Sequence, residues 1–380
     1  MWGVRCAENL DESKSKKLAW KPIVGTNFMS DSTQLDSPTR LLVVIVNYRT
    51  PGLTIDCLHS LVSEVREAKL AHGASLPLTR VVITDNASGD DSVEKIQTAI
   101  ENEGWGDWAS LQPLERNGGF AYGNNAAIRP ALESPNPPPY ILLLNPDTIV
   151  RPGALQALVD FMDEHPDVGI AGSRLEDPDG TPQRSAFRFH SIFSELEFGL
   201  RLGIVSKLLS NSIVAPPVSD ETYQTDWVAG ASMIVRRQVF EEAGLMDEDY
   251  FMYYEEMDFC LQAKRAGWSC WYVPKSHIVH LVGQASGVTD TKRPPKRLPQ
   301  YWFDSRERYF LKNHGWLYTA GADAALIVGF ALWRLRRVIQ SKPDSDPPNF
   351  LSDLLQNSVF LKGREQSPQL VQNTAGIGKS

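Results

Sequence analysis

The sequence predicts an α/β protein: a mostly parallel sheet with helices packed on both faces. Two patterns carry this expectation. Short continuous apolar runs, such as LLVVIVNY (Leu41 to Tyr48) and YILLL (Tyr140 to Leu144), read as strands buried on both sides, and helix-starting residues follow them in alternation. The runs also stop abruptly on polar residues, as in ILLLNPDT, where an aspartate stands at the tip of a hydrophobic strand.

The elements follow in order. Pro51 suits the first turn of a helix, which is expected to reach about Leu70. RVVITDNAS is the second strand, and Asp90, Asp91 and Ser92 after it suit a helix start. WASLQPLE is a weaker third strand, and NGGFAYGNNAAI opens on glycines and turns into helix. The proline-rich ESPNPPPY is a loop, because the fourth strand follows at once; PGALQALVDFMDEH is the next helix. After about Gly172 the rhythm changes. DGTPQRSAFRF leads into one long helical stretch, SIFSELEFGLRLGIVSKLL. A further strand lies in DWVAGASMIVRR, and YYEEMDFCLQAKRAGW is a helix that stops at Gly267. No internal repeat is visible.

Residues 1–39 are polar, lack the apolar core of a signal peptide and read as a loose extension. A main domain is expected over 40–314, an apolar helix over 315–340 and a flexible tail over 341–380, with one short helix near FLSDLLQNSVFLKG. The apolar segment, Trp316 to Trp333, carries one charge, Asp323, and is followed by RLRR. It supports two readings. One is an amphipathic helix on the inner face of the cell membrane, with Arg334, Arg336 and Arg337 on anionic headgroups. The other is a helix packed on the domain. Composition is globular, 42% hydrophobic and 22% charged, and the formal net charge of −8 argues against nucleic acid as a partner. Cys6, Cys57, Cys260 and Cys270 lack metal-type spacing and read as reduced thiols of a cytoplasmic protein.

In an open α/β sheet, ligands bind outside the carboxyl ends of the strands. Three strands here end in polar groups: Asn47-Tyr48-Arg49, Asp85-Asn86 and Asn145-Pro146-Asp147. Singly, each fits a turn or a helix cap; their convergence points to a site. Glu255, Glu256 and Asp258 open a helix, where acids complement its dipole. The aromatic YFMYY just before them also makes them candidates for a raised pKa and base chemistry. His280, past a predicted strand, is structural if alone; with Asp147 it makes an O/N site for Mg²⁺ or Mn²⁺. Lys292, Arg293, Lys296 and Arg297 in TKRPPKRLP read as a solvated basic loop, or as a hold on phosphates.

VVIVNYRT, ITDNASGDDS, RNGGFAYGNNAAI, LLLNPDT, DWVAGASMIVRR, FMYYEEMDFCLQAKRAGW and HLVGQASG occur in one order. Together they resemble the family 2 glycosyltransferases, in their rhamnosyltransferase-like branch, over about Leu41 to Asn313. The resemblance implies a GT-A fold, a Rossmann-like and mostly parallel sheet with C-terminal helices. It also implies a nucleotide-diphosphate sugar donor (dTDP-, UDP- or GDP-linked), a divalent cation and inversion at the anomeric carbon. Residue by residue, Asn47 and Arg49 would line the nucleotide pocket and Asp85 would bond the base. Asn117, Asn124 and Asn125 would border the donor. Asn145 fills the first position of the DXD-type motif, Asp147 would bind the metal and His280 would complete its site. The base position of the family's acidic pair holds Glu256, where Asp is usual; Glu255 precedes it on the acceptor side and Asp258 would share the role or orient the acceptor. Asp226 to Ala231 resembles the acceptor-side loop, where Trp227 would stack on a sugar or wall the site.

The leading expectation is therefore an inverting, metal-dependent glycosyltransferase acting on a cell-surface polysaccharide or lipid-linked acceptor. A catalytically weak sugar-nucleotide-binding partner in an assembly complex is the alternative. A nucleotidyltransferase would want a Gly-rich basic loop after the first strand, which NYRTPGLT does not supply.

Overall fold

The computed structural model describes residues 39–71, 79–281 and 296–362. The first half alternates: β1 (Leu41–Asn47), α1 (Pro51–Ala71), β2 (Thr79–Asp85), α2 (Ser92–Asn102), β3 (Ala109–Pro113), α3 (Gly119–Glu133) and β4 (Tyr140–Leu144). A short β5 (Thr148–Val150) and α4 (Ala154–Glu164) follow, then β6 (Val168–Glu176), β7 (Ala186–Phe187), α5 (Ile192–Leu200) and α6 (Gly203–Leu208). The chain continues through β8 (Tyr223–Thr225), β9 (Trp227–Val228), β10 (Ser232–Arg236), α7 (Arg237–Ala243), α8 (Glu255–Arg265) and β11 (Ser269–His280). It closes with α9 (Gln300–Ile339), α10 (Phe350–Gln356) and α11 (Val359–Lys362).

The strands order as β3-β2-β1-β4-β10-β6-β11-β5, with β8 added beside β11. From β3 to β4 all neighbours are parallel. Residues of opposite parity on β1 point to opposite layers: Leu41, Val43 and Ile45 join the core under α1, α2 and α4, while Leu42 and Val44 join the core under α3, α7 and α8. That double burial explains the unbroken apolar runs. β10 breaks the parallel run, lying antiparallel between β4 and β6, and β5 and β8 are antiparallel to β11. β11 is parallel to β6 but shifts register between Val273 and His277, where Pro274 is accommodated in the irregularity.

Three details differ from the sequence reading. The long helical stretch 191–209 is two helices, because Arg201 turns left-handed at φ 48° after Gly199-Leu200. The boundary drawn at 314/315 falls on a kink, where Gly315 has φ 77°, but the helix beyond it packs on α5. Gly199 and Gly329 let the two backbones meet, since a Cβ on either would stand 3.0–3.1 Å from the other's main chain. The described part of the tail is also packed, not loose. Asp346 is buried and accepts from Arg201 at 2.6 Å and from the Trp333 indole at 3.1 Å. Arg297 grips Asp353 with two bonds, at 2.9 and 2.6 Å.

Asp323 lies inside this C-terminal layer. Arg306 bonds it at 2.6 Å and bonds Glu195 at 2.8 Å, with His190 on the other Glu195 oxygen at 2.8 Å. Burial pushes the Glu195 carboxyl up, but Arg306 and His190 outweigh it and hold the group at about 2.

Candidate active site

The parallel register of β1 and β2 sets Asn47 opposite Asp85 at the carboxyl edge. The Asn47 amide donates to Asp85 Oδ1 at 2.6 Å, and the Ser88 hydroxyl donates to the same oxygen at 2.6 Å. The Ser88 backbone N–H donates to Oδ2 at 3.0 Å. Three of the roughly four acceptor positions of Asp85 are thus filled, leaving one at Oδ2 for a ligand donor. Arg49, left-handed at φ 58°, donates from Nε to the Ser88 carbonyl at 2.8 Å and is exposed above this cluster.

Asn86 ties this cluster to the start of α3. Its amide nitrogen donates to Asn117 Oδ1 and to the Gly119 carbonyl, each at 3.0 Å, and its oxygen accepts from the Gly118 N–H at 3.3 Å. Gly119 has φ 86°, and a Cβ there would stand 1.8 Å from the Phe251 carbonyl oxygen. That carbonyl accepts from Phe120 N–H at 3.1 Å. The start of α3 is therefore clamped to the aromatic segment before α8. Asn124 donates back to the Phe120 carbonyl at 2.9 Å, and Asn125 holds the Met246 carbonyl at 2.8 Å and Glu248 at 2.9 Å.

Asn145 ends β4, and its N–H bonds the Ala231 carbonyl at 3.0 Å. Pro146 removes the next backbone donor and favours an extended Asn145. The antiparallel pairing of β5 with β11 sets Thr148 opposite His280. Asp147 Oδ1 consequently lies 3.6 Å from His280 Nε2, with both side chains largely buried. Neighbouring ligands of an octahedral ion at ~2.1 Å lie about 3 Å apart, so this pair suits two positions on one Mg²⁺ or Mn²⁺. No group of three or more His, Cys, Asp or Glu is assembled among the described residues. The donor set therefore fits an ion whose remaining ligands are substrate oxygens and water. Cys57 beneath it is a buried thiol pushed up to about 12, chiefly by burial, and is inert.

The acidic segment carries the strain. Tyr253 and Tyr254 are consecutive non-glycine residues at φ 71° and 70°. Such conformations cost on the order of 1–3 kcal/mol each and persist only when packing enforces them. The first half of α9 enforces them here. Ser305 donates to the Met252 carbonyl at 3.0 Å, Tyr301 stacks on Tyr253 at 6.0 Å, and Tyr254 packs against Trp302 and Tyr309. The chain then enters α8, with Glu255 buried and Glu256 half-buried. Burial raises both carboxyls, and the neighbouring Glu256 raises Glu255 further. Gly230 sits between Phe120 and Glu256, 3.0 Å and 3.9 Å from its ideal Cβ position, and its backbone N–H beside the Glu256 carboxyl offsets part of that rise.

Not every expected residue faces this space. Asp258 is 1% exposed and gives its oxygens to Lys312 and Asn313, each at 2.6 Å. It anchors α8 to α9, and the expected share in base chemistry has no oxygen left to serve it. Asp226 accepts from Lys264 at 2.8 Å and from Phe189 N–H at 3.0 Å. Trp227 stacks on Phe187 at 4.3 Å and donates to the Arg188 carbonyl at 3.0 Å, so its ring is engaged with the protein. Asn125 likewise braces the 246–248 turn. Lys292 and Arg293 lie outside the described residues, and Arg297 belongs to the α10 contact.

Two family models match the chain: Glycosyl transferase family 2 over residues 42–216 and Glycosyl transferase family group 2 over residues 140–341. The chain belongs to the family 2 glycosyltransferases. This glycosyltransferase is 26% identical over 231 residues to the N-acetylglucosaminyl-diphospho-decaprenol L-rhamnosyltransferase of Mycobacterium tuberculosis, a match covering 58% of this chain and 72% of that one. It is 30% identical over 165 residues to Rhamnosyltransferase WbbL of Escherichia coli, over 43% of this chain and 60% of the relative. These matches bear out the rhamnosyltransferase-like resemblance. Among solved structures, GalNAc-T7 with UDP, GalNAc and Mn²⁺ superposes on 85% of this chain and 55% of its own, with TM-score 0.51 and 13% identity. That likeness shows the GT-A fold expected from the motifs.

The structure also brings together residues the sequence reading passed over. Ser88 closes the Asn47–Asp85 cluster, and its signal was its place in DNAS. Ser173 links the Ser232 and Ser276 hydroxyls at 2.7 and 2.8 Å, with each serine on a different strand and no local signature. The brace from Tyr301, Ser305 and Tyr309 comes from a helix about fifty residues downstream.

Proposed function

We propose that the chain transfers a sugar, with inversion, from a nucleotide-diphosphate donor to a hydroxyl of a glycan or lipid-linked acceptor. The observation that carries this reading is the Asp147–His280 pair standing on the same carboxyl edge as the Asn47–Asp85–Ser88 cluster. Rhamnosyltransferase relatives support a deoxyhexose as the sugar, and the M. tuberculosis name supports a lipid-linked acceptor.

In this reading Asp85 Oδ2 accepts a base N–H, Asn47 holds Asp85 in place and Arg49 lies along the nucleotide. Asp147 and His280 Nε2 would hold Mg²⁺ or Mn²⁺, which when bound supplies Lewis-acid stabilisation to the departing diphosphate. Glu256 takes the acceptor hydroxyl proton on a carboxylate oxygen as that hydroxyl attacks the anomeric carbon. Its partly buried position raises its proton affinity towards neutral pH, where a base works best. The Gly230 amide and the Phe120 ring fix the direction of that carboxylate, and the clamp at Gly119 sets its distance from the donor side. Asn117 and Asn124 shape the donor rim through the α3 start, Asn145 ties that rim to Ala231, and Glu255 backs Glu256 from the acceptor side. The buried, unpaired Cys57, Cys260 and Cys270 support a cytoplasmic location.

The test is a panel of dTDP-, UDP- and GDP-linked sugars assayed for hydrolysis with Mg²⁺ or Mn²⁺. Asp147→Ala is expected to abolish metal-dependent turnover; unchanged turnover would remove the metal assignment. The alternative, a catalytically weak nucleotide-sugar-binding partner, predicts donor binding with no turnover, and a gain of rate in Glu256→Asp.

A further inference from the structure

We infer that the outer face of the distal half of α9 is a docking surface for an anionic lipid bilayer, and that the chain lies on the membrane without crossing it. Leu317, Val328, Leu332, Leu335, Val338 and Ile339 are 50–80% exposed and fall on one helical stripe. Ala324, Ala325 and Ala331 continue the stripe between them. From Leu317 to Ile339 it runs about 33 Å at the helical rise. Ile204 and Leu208 on α6 are 66% and 78% exposed. Arg336 fixes the distal end of α9 on the end of α5, from which α6 continues, by donating to the Leu200 and Arg201 carbonyls, each at 2.7 Å.

The chemistry of the face selects lipid over protein. Its exposed groups are aliphatic, while the aromatic residues Phe330 and Trp333 turn inward and are buried. Protein interfaces concentrate their energy in aromatic and Arg anchors, with Leu and Val under-represented. At its distal end Arg334 and Arg337 share Asp344, Arg201 pairs with Asp346, Arg336 donates to the carbonyls at the end of α5 and Lys342 lies over the Trp333 ring, five cations against two carboxylates, with Lys207 on α6. This is a cationic rim in a chain whose formal net charge is −8. An apolar stripe with cations at its border is the form taken by helices that lie in the headgroup region.

α9 is long and apolar enough to span a bilayer, but its inner face excludes that orientation. Asp323 is bound to Arg306 and to the Val359 N–H, and the helix is packed on α5, α10 and α11. Crossing would carry the Asp323–Arg306–Glu195 cluster into hydrocarbon and strip those helices away. The surface also lies on the same helix as the brace of the acidic segment, so a bilayer there would bring a lipid-linked acceptor close to Glu256. This last link rests on the proposed function; the docking itself does not.

The experiment is flotation of the full-length chain with phosphatidylcholine vesicles, with and without phosphatidylglycerol. Binding is expected, stronger with the anionic lipid, and Leu332→Glu/Leu335→Glu/Ile339→Glu should weaken it by roughly tenfold or more. Donor hydrolysis and melting temperature should stay unchanged in that variant. Lys207→Glu/Lys342→Glu should remove only the preference for anionic vesicles. Asp147→Ala should bind vesicles as the parent does, which separates failure of this inference from failure of the catalytic reading. Absence of vesicle binding by the parent chain, unchanged binding by the triple variant, or a dimer that the triple variant dissociates would each overturn the proposal.

Discussion

Gly119→Ala tests how the two halves of the site are held in register. Two effects add. A left-handed backbone costs a non-glycine residue about 1–2 kcal/mol. The larger effect is steric: the new Cβ would stand 1.8 Å from the Phe251 carbonyl oxygen, whereas ordinary contact begins at 3.4 Å. Relief requires a separation of about 1.6 Å between the α3 start and the Phe251 segment, and it breaks the 3.1 Å bond from Phe120 N–H. Glu256 follows Phe251 by five residues, through the strained Tyr253-Tyr254 pair, so the displacement reaches the proposed base. Misplacement by ~1 Å costs on the order of 100-fold in rate. The variant should therefore melt a few degrees lower, with kcat for transfer down about 100-fold. Steady-state kinetics beside a thermal melt reads both. A variant with kcat within about twofold of the parent would show that the clamp does not set the geometry of catalysis.

Further outcomes follow from the same site. Glu256→Gln should leave donor binding intact and remove transfer, and equal loss of both would make Glu256 structural. Burial raises Glu256 above 4.5, and the base must be ionised. Transfer should therefore rise with pH through that raised value, and the rise should vanish in Glu256→Gln. Glu255 binds its proton more tightly folded than unfolded. The stability this contributes is complete below about 4.5 and is lost as pH rises through the folded value, so Glu255→Gln should raise the melting temperature at neutral pH. Arg306→Met leaves Glu195 and Asp323 buried without their cation and should cost about 3–5 kcal/mol, read by denaturant titration. In the parent, Glu195 is held at about 2. Its stabilising contribution is present above the ordinary carboxyl value and is lost only as pH falls through about 2.

The strand-end half of the candidate site was readable because it follows from local pattern. Strands buried on both faces leave unbroken apolar runs, and each run stops on polar residues at the carboxyl edge, so Asn47, Asp85 and Asp147 announce themselves. Asp147 and His280, 133 positions apart, were paired on chemistry, and the β5–β11 ladder gives that pairing its geometry. The second half was less legible for a physical reason. Asp258, Asp226 and Trp227 carry the residue types of a site, yet their partners, Lys312, Lys264 and Phe187, are supplied by tertiary packing that no window of sequence displays. The same holds for Asp323. Its charge inside an apolar run reads as a mark against burial until Arg306 and Glu195 are found around it.

The reversed strand β10 has a consequence for how such a chain can change. Because it enters against its neighbours, its leading end, Gly230 and Ala231, reaches the edge where β1, β2 and β4 finish. The stretch before it is fixed elsewhere, since Glu195 is locked to Arg306 and Gly199 lies against α9. Only the short turn at 229–231 is exposed to revision without touching that layer, and it meets the end of β4 through the Asn145 N–H on the Ala231 carbonyl. Variation in that turn therefore reshapes the sheet edge while every strand and the C-terminal layer stay in place.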